Sequence, residues 1–442
     1  MKQGSIFLAI AFFSACSGED STSPPTASEQ AERAEVKQLP ADSRAIALSR
    51  QYLIVDTHID VPYRLERNPA DVSKTTAEGD FDYPRAVAGG LDALFMSIYI
   101  PASVDEAGGA TDLANKLIDS VEAIAGSAPD KFALATCTAD ISTIKEQGKI
   151  AFPMGMENGG PIAGSLELLD HFRMRGIRYI TLAHSKSNHI SDSSYDENEP
   201  WQGLSPFGKS LVAEMNDRGV MIDVSHISDK AFWQVLELTN VPVVATHSSL
   251  RHFTPGFQRN MSDEMVKALG ENNGVVQIAF GGSFLTATAG SYRAARQQAA
   301  AAYRDAQHLA ADDPALVEFF ENYGKENPYP FPDIDDVLNH IDRVVEIAGI
   351  DHVGLGSDYD GVGDTLPVGL KDVSAYPNLV AGLLGRNYSE RDIEKILGAN
   401  LMRVWQAGEA YAEAHGNPPS CRSTKQVLAE QVSQLVPIDH GP

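Results

Sequence analysis

Six short apolar runs in this chain each end in a side chain that can hold a metal or carry a proton. They are YLIVDTHID (52–60), AFPMGMEN (151–158), IRYITLAH (177–184), VMIDVSH (220–226), VPVVATHS (241–248) and HVGLGSDYD (352–360). At their tips stand His58 and Asp60, Glu157, His184, His226, His247, and Asp358 with Asp360. Runs of about four to eight Val, Ile, Leu, Met and Phe residues are what parallel strands buried on both faces require. Two further runs, ALFMSIYI (93–100) and GVVQIAF (274–280), bring the strand count to eight. Segments of helical character follow them, clearest at 106–126, 165–175, 206–218, 228–238, 262–271, 334–348 and 389–405, with Ser228, Ser262 and Ser389 as N-caps. This alternation predicts an α/β fold, a (β/α)8 TIM-type barrel over residues 46–410, whose C-terminal strand ends gather the polar tips on one face. A doubly wound open sheet is the structural alternative, but no glycine-rich phosphate loop follows the first strand.

The stretch 281–332 is too long for an ordinary strand–helix loop. Its alanine-rich middle, 287–310, predicts an inserted helix between strand 7 and helix 7, and PYPFP (328–332) breaks the chain before the next one. Such an insertion serves as a lid or as an oligomer contact. The tail 411–442 carries no readable chemistry.

With 35 basic against 60 acidic residues, the formal charge of −25 excludes a nucleic-acid binder, which needs a basic face. Met1-Lys2, the apolar stretch from Ile6 to Phe13, and Ser14-Ala15-Cys16 form a secretory signal of lipoprotein type. A lipid on Cys16 would be the chain's only membrane attachment, and residues 17–45, rich in Ser, Thr, Pro, Ala and Glu, would be a flexible tether. The expected location is outside a bacterial cytoplasm, periplasmic or membrane-anchored. Cys137 and Cys421 remain; an oxidising compartment permits a bond between them, and two separate thiols are the alternative. Neither stands at a strand tip, so no cysteine nucleophile is expected.

In His58-x-Asp60 both side chains point to one side of a strand, and imidazole with carboxylate suits Zn²⁺ or a similar ion. Glu157, flanked by glycines in GMENGG, can approach a metal closely and bridge two ions through its two oxygens. His226 and His247 would complete a second site.

These residues carry a resemblance. DTHID (56–60), GMENGG (155–160), YITLAHS (179–185), DVSHIS (223–228), ATHSSLR (245–251) and DHVGLGSDYDG (351–361) occur in the order of the renal (membrane) dipeptidase family, zinc peptidases within the amidohydrolase-like barrels. The chain resembles that family over about residues 50–405, and Asp60 sets it apart from amidohydrolases that open with His-x-His. The resemblance implies two Zn²⁺ per chain: His58 and Asp60 on one, His226 and His247 on the other, Glu157 between them, and a shared hydroxide that attacks a dipeptide. It implies that His184 stabilises the oxyanion or positions substrate, and that Arg251 pairs with the substrate's free carboxylate. It also implies that Asp358 moves the proton from water to the leaving amine, with Asp360 as its rival. His189 and His252 are expected to be peripheral, and a homodimer is suggested. Gly281-Gly282-Ser283, followed by the insertion, departs from the family's mammalian members beside the substrate. The implied substrates are dipeptides, including those with a C-terminal D-residue, and for some members β-lactams. The alternatives are another binuclear amidohydrolase acting on a lactam, lactone or N-acyl amino acid, or a non-catalytic lipoprotein that binds metal or peptide. The intact ligand set speaks against the last.

Overall fold

The computed structural model describes residues 43–310, 313–419 and 421. Ten strands form one sheet: β1 (Val55–Ile59), β2 (Ala93–Tyr99), β3 (Phe132–Leu134), β4 (Ile150–Phe152), β5 (Met154–Glu157), β6 (Ile177–Thr181), β7 (Met221–Asp223), β8 (Val244–Ser248), β9 (Val275–Ile278) and β10 (Val353–Leu355). All their pairings are parallel. Because β1 pairs with β2 on one side and β10 on the other, β1, β2 and β5 to β10 close a ring of eight. Closure leaves the ring no free edge, and helices alternate with its strands. The predicted (β/α)8 barrel is the fold.

The third apolar run is one barrel position in two pieces. Pro153 has no N–H to give to the ladder, so β4 and β5 meet β2 separately, at Ala93 opposite Ala151 and at Met96 opposite Met154. The gap lets β3 add to β4 outside the ring.

Two apolar clusters divide the work. The larger lies between strands and helices. The smaller fills the barrel: Val55, Ala93, Phe95, Tyr179, Met221, Val244 and Val275 meet Leu401, Met402 and Trp405 from the last helix. These strand residues stand mostly at strand starts, so the last helix stops the end opposite the polar tips. The Trp405 and Phe95 rings lie 5.3 Å apart, as do those of Phe95 and Tyr179.

Helices Pro206–Arg218 and Ile334–Ala348 form as expected, and Ser228, Ser262 and Ser389 accept from Ala231, Met265 and Asp392 backbone N–H groups as N-caps. The expected ends at 46 and 410 fall inside helices Ser43–Gln51 and Asn400–Ala414. Besides the short helix Gly282–Leu285, the described residues of the insertion form two longer helices rather than one: Ala287–Gln307 and Ala315–Glu326. Aromatic contacts join them, Tyr303 to Phe319 at 4.8 Å and Tyr292 to Tyr323 at 5.8 Å. Cys137 and Cys421 form a disulfide, with Cα atoms 5.1 Å apart. The leader and most of the tether and tail lie outside the described residues. Among the described residues, no helix is long and apolar enough to cross a membrane.

Candidate metal centre

The strand tips converge on the Glu157 carboxylate. Its Oε2 lies 3.3 Å from His58 Nε2. Its Oε1 lies 3.2 Å from His226 Nε2, 3.2 Å from His247 Nε2 and 3.4 Å from His184 Nε2. Asp60 Oδ2 stands 3.6 Å from His58 Nε2. Ligand atoms fall within 4.8 Å of one another in three sets: His58, Glu157 and His247; Glu157, His184 and His226; His58, Asp60 and Asp358. His247 thus approaches both His58 and His226, with ring centres 3.8 and 4.9 Å away, so the ligands form one continuous cluster. His226 and Asp358 both have positive φ, 69° and 64°. Such backbone is costly for residues with a Cβ and gathers at functional sites.

Burial alone would raise the Glu157 carboxyl, but His58, His184 and hydrogen bonds from His226 and His247 outweigh it and hold it well below the usual range. Burial opposes charge on His58 as well, yet Tyr179, Glu157 and Asp60 raise it well above an ordinary imidazole. Burial pushes His226 and His247 well below theirs, helped by Arg259 for the first and His58 for the second. Both are therefore neutral at pH 7, the form that ligates metal. Burial lowers His184 too. It raises Asp358 well above a usual carboxyl; His58 pulls the other way, while Asp60 and Glu157 add to the rise.

Behind the tips lies a set of positioning groups that sequence reasoning missed. Asp56 on β1 accepts from the backbone N–H groups of His58 and Ser357 and from the Tyr376 hydroxyl, tying the first tip to the last. Asp223 on β7 accepts from the Thr246 amide at 2.9 Å and hydroxyl at 2.7 Å, and Thr246 Oγ1 lies 2.8 Å from His247 Nδ1. Tyr179 Oη stands 2.8 Å from His58 Nδ1. Such partners fix which imidazole nitrogen faces a metal. The signal was present as an aspartate two residues before His58 and three before His226. Gly155 serves this shell rather than the Glu157 carboxylate, since a Cβ there would stand 1.9 Å from the Tyr179 ring. At Gly361 a Cβ would fall 2.2 Å from Asp60 Oδ2 and 2.4 Å from Asp358 Oδ1, so a glycine is needed for those two carboxylates to share the mouth.

Asp360 has structural work instead. Its side chain is buried, accepting from Arg64 Nε at 2.8 Å and from the Asp80 amide at 2.5 Å. Asp80 in turn accepts from the Asp360 amide at 2.8 Å. Burial, then repulsion from Asp360, pushes Asp80 up to about 7. A carboxyl raised on folding resists ionisation in the native state, so stability falls as pH rises from about 4 to 7. Asp80→Asn keeps an acceptor without the charge. Its stability should exceed the native protein's by an amount that grows over that range, up to about 3–4 kcal/mol. Urea unfolding at pH 5 and pH 8 checks this, and a difference independent of pH would contradict it.

Arg251 is not brought to the centre. Both oxygens of Asp229 hold its guanidinium, at 2.9 and 2.8 Å, together with the carbonyls of Gln258 and Asn260. Arg259 lies against the cluster instead, bonded to the His247 carbonyl. Only 3% exposed, it donates 2.7 Å bonds to Ser248 Oγ and the His247 carbonyl. Its charge acts on His184, His226, His247 and Asp358. Its Nε has no hydrogen-bond partner, and no carboxylate among the described residues pairs with it. The expected peripheral residues do lie apart, His189 against Phe207 and His252 against Phe253.

The residues fit a metal. Imidazole and carboxylate are its usual donors, and four buried atoms here, His58 Nε2, Asp60 Oδ1, His184 Nδ1 and His226 Nδ1, lack hydrogen-bond partners. A closed parallel barrel with such a cluster at its C-terminal strand ends is the arrangement of a metal-dependent hydrolase. Residues 42–418 match the family model described as membrane dipeptidase, peptidase family M19, and the chain belongs to that family. It is 31% identical over 364 residues to a dipeptidase of Claviceps purpurea, covering 81% of this chain and 74% of the relative. It is 31% identical over 391 residues to an uncharacterized dipeptidase of Schizosaccharomyces pombe, covering 84% of each. The solved structure of a probable dipeptidase from Pseudomonas aeruginosa superposes with a TM-score of 0.72 at 28% identity, over 84% of this chain and 98% of that one. A metallopeptidase from Rhodobacter sphaeroides, solved with a phosphinate mimic of the dipeptide L-Ala-D-Ala, gives a TM-score of 0.66 at 25% identity, over 81% and 99%. The chain is a metallodipeptidase.

Proposed function

We propose that this enzyme uses two Zn²⁺ to hydrolyse dipeptides that carry a free C-terminal carboxylate, C-terminal D-residues included. The observation that carries the reading is Arg259, a buried guanidinium beside the ligand cluster that no carboxylate among the described residues pairs with. A buried unpaired cation is costly, and a substrate carboxylate would relieve the cost. The dipeptide mimic bound to the Rhodobacter relative supports the D-residue.

His58, Asp60, Glu157, His226 and His247 would hold the ions, with Glu157 offering one oxygen towards His58 and the other towards His226 and His247. When bound, the ions supply Lewis acidity, polarising the scissile carbonyl and acidifying the attacking water. Arg259 fixes the carboxylate end. His184, neutral and 17% exposed at its side chain, stands beside Glu157 to donate to the developing oxyanion. Asp358, grouped with His58 and Asp60, takes the proton from the water at a carboxylate oxygen and delivers it to the departing amine. Bound cations would favour its ionised form, opposing the rise that burial causes. Export through the leader over residues 1–16, with a lipid on Cys16, belongs to the same proposal.

Substitution separates the two arginines. Arg259→Met should raise KM for Ala-Ala about a hundredfold or more, as loss of a charged hydrogen-bonded pair does. Arg251→Met should change it less than about threefold, because its partner is the surface residue Asp229. Steady-state kinetics of the zinc-loaded variants provide the test. The reverse ranking would return the carboxylate to Arg251.

A further inference from the structure

The insertion leaves the barrel after β9 and returns at helix Ile334–Ala348, and one buried imidazole on that helix clasps its root. His340, 0% exposed, accepts the Leu250 backbone N–H at Nδ1, at 3.0 Å, and donates from Nε2 to the Leu285 carbonyl, also at 3.0 Å. Leu250 belongs to the loop after β8 that carries Arg259, and Leu285 ends the short helix Gly282–Leu285. The last carbonyls of a helix have no partner within it. Here two of them are bound from outside, that of Phe284 by Asn260 Nδ2 at 2.7 Å and that of Leu285 by His340. Asn260, next to Arg259 in the chain, also donates to Thr254 Oγ1 at 2.7 Å, and the Ala287 amide donates to the Phe253 carbonyl at 3.2 Å. The Arg259 guanidinium lies 5.2 Å over the Phe284 ring. One helix-borne histidine, the Arg259 loop and the insertion root are thus a single hydrogen-bonded unit. A Cβ on Gly282 would stand 2.2 Å from the Tyr329 hydroxyl, so the two ends of the insertion meet at that glycine.

A backbone N–H directed at Nδ1 requires that nitrogen to be unprotonated, so the ring is neutral and carries its proton on Nε2. Burial, opposed by the Leu285 bond and helped by His252, pushes the imidazole down to about 4. At neutral pH His340 therefore supplies no charge and moves no proton. What it supplies is shape and two bonds, with the Phe253 ring of the Arg259 loop packed against it, centres 4.5 Å apart. We propose that His340 is a positioning residue for substrate binding, which holds the Arg259 loop and the insertion root in the register that forms the pocket for the substrate's terminal carboxylate. The inference rests on the dipeptidase reading, in which Arg259 takes that carboxylate. A displacement of about 1 Å at a binding group can cost about a hundredfold, even when its cause lies away from the chemistry. Because His340 acts through the carboxylate grip and not through the metal ligands, the loss falls on KM.

The test is steady-state kinetics of the zinc-loaded full chain on Ala-Ala, with metal content measured for each variant. His340→Leu removes both bonds. The shorter amide of His340→Asn stands in for Nδ1 and the longer one of His340→Gln for Nε2, so each keeps one. His340→Leu should raise KM about tenfold or more, with kcat within about threefold of native and metal content unchanged. The two amide variants should fall between, and they carry the test if His340→Leu does not fold. Combination with Arg259→Met separates positioning from general loosening. The KM of the double variant should equal that of Arg259→Met alone, because the grip that His340 aligns is already gone. Full multiplication of the two KM effects overturns the assignment of His340. So does an unchanged KM in the His340 variants, or a loss of kcat or metal in place of a rise in KM. If Arg259→Met itself leaves KM unchanged, the carboxylate reading falls and the inference falls with it.

Discussion

Glu157→Ala will lose bound metal and activity together. One carboxylate lies within 3.4 Å of four imidazole nitrogens, and its two oxygens face different members of the cluster. Removal leaves the imidazoles of His226 and His247, 2.9 Å apart at Nε2, without the anion that lies against both. Metal content measured by mass spectrometry after dialysis should fall below two ions per chain. Turnover of Ala-Ala should drop by about three orders of magnitude or more, the scale of losing metal-assisted catalysis. Glu157→Gln should behave similarly, because an amide keeps the shape but not the charge. Two ions retained in either variant would contradict the bridging role.

Asp358→Asn should separate chemistry from binding. The group is buried and belongs to the set with His58 and Asp60, yet it is not among the nearest neighbours of Glu157. The amide fits the same space and cannot accept the proton of the attacking water. Metal content should stay at the native level and kcat should fall by about 10²–10⁴, the usual contribution of a positioned acid–base group. KM should change little. A kcat within tenfold of native would move the proton role elsewhere. Asp360 is a poor heir, since Arg64 and the Asp80 amide already occupy its oxygens.

The barrel was legible because burial on both faces leaves continuous apolar runs, and because polar residues at the ends of such runs break the pattern. His58, Asp60, Glu157, His184, His226, His247 and Asp358 were visible for that reason, and the structure brings all seven together. The FAL strand at Phe132–Leu134 is too short to produce a pattern, and its partnership depends on the break at Pro153. Helix Tyr376–Gly385 was missed because it is apolar nearly all round and shows no amphipathic stripe. Arg251 was singled out because it matched the resembled family's arginine, whereas Arg259, which the structure brings against His247, was not singled out. The loop after β8 folds back: the Arg251 amide donates to the Met261 carbonyl and the Met261 amide to the Ser249 carbonyl. That turn carries Arg251 outward to Asp229 and returns Arg259 beneath His247, a reversal that linear spacing does not encode.

Hydrolysis of free Ala-Ala, L-L and L-D, by the zinc-loaded chain tests the central claim most directly when run beside the same peptides blocked at both ends and with a chelator. The free dipeptides should be cleaved, the blocked ones at least about a hundredfold less well. Chelation should abolish activity, and added Zn²⁺ should restore it. Equal cleavage of blocked and free peptides, or full activity after the metal is removed, would contradict a metal-dependent dipeptidase that reads its substrate by the free carboxylate.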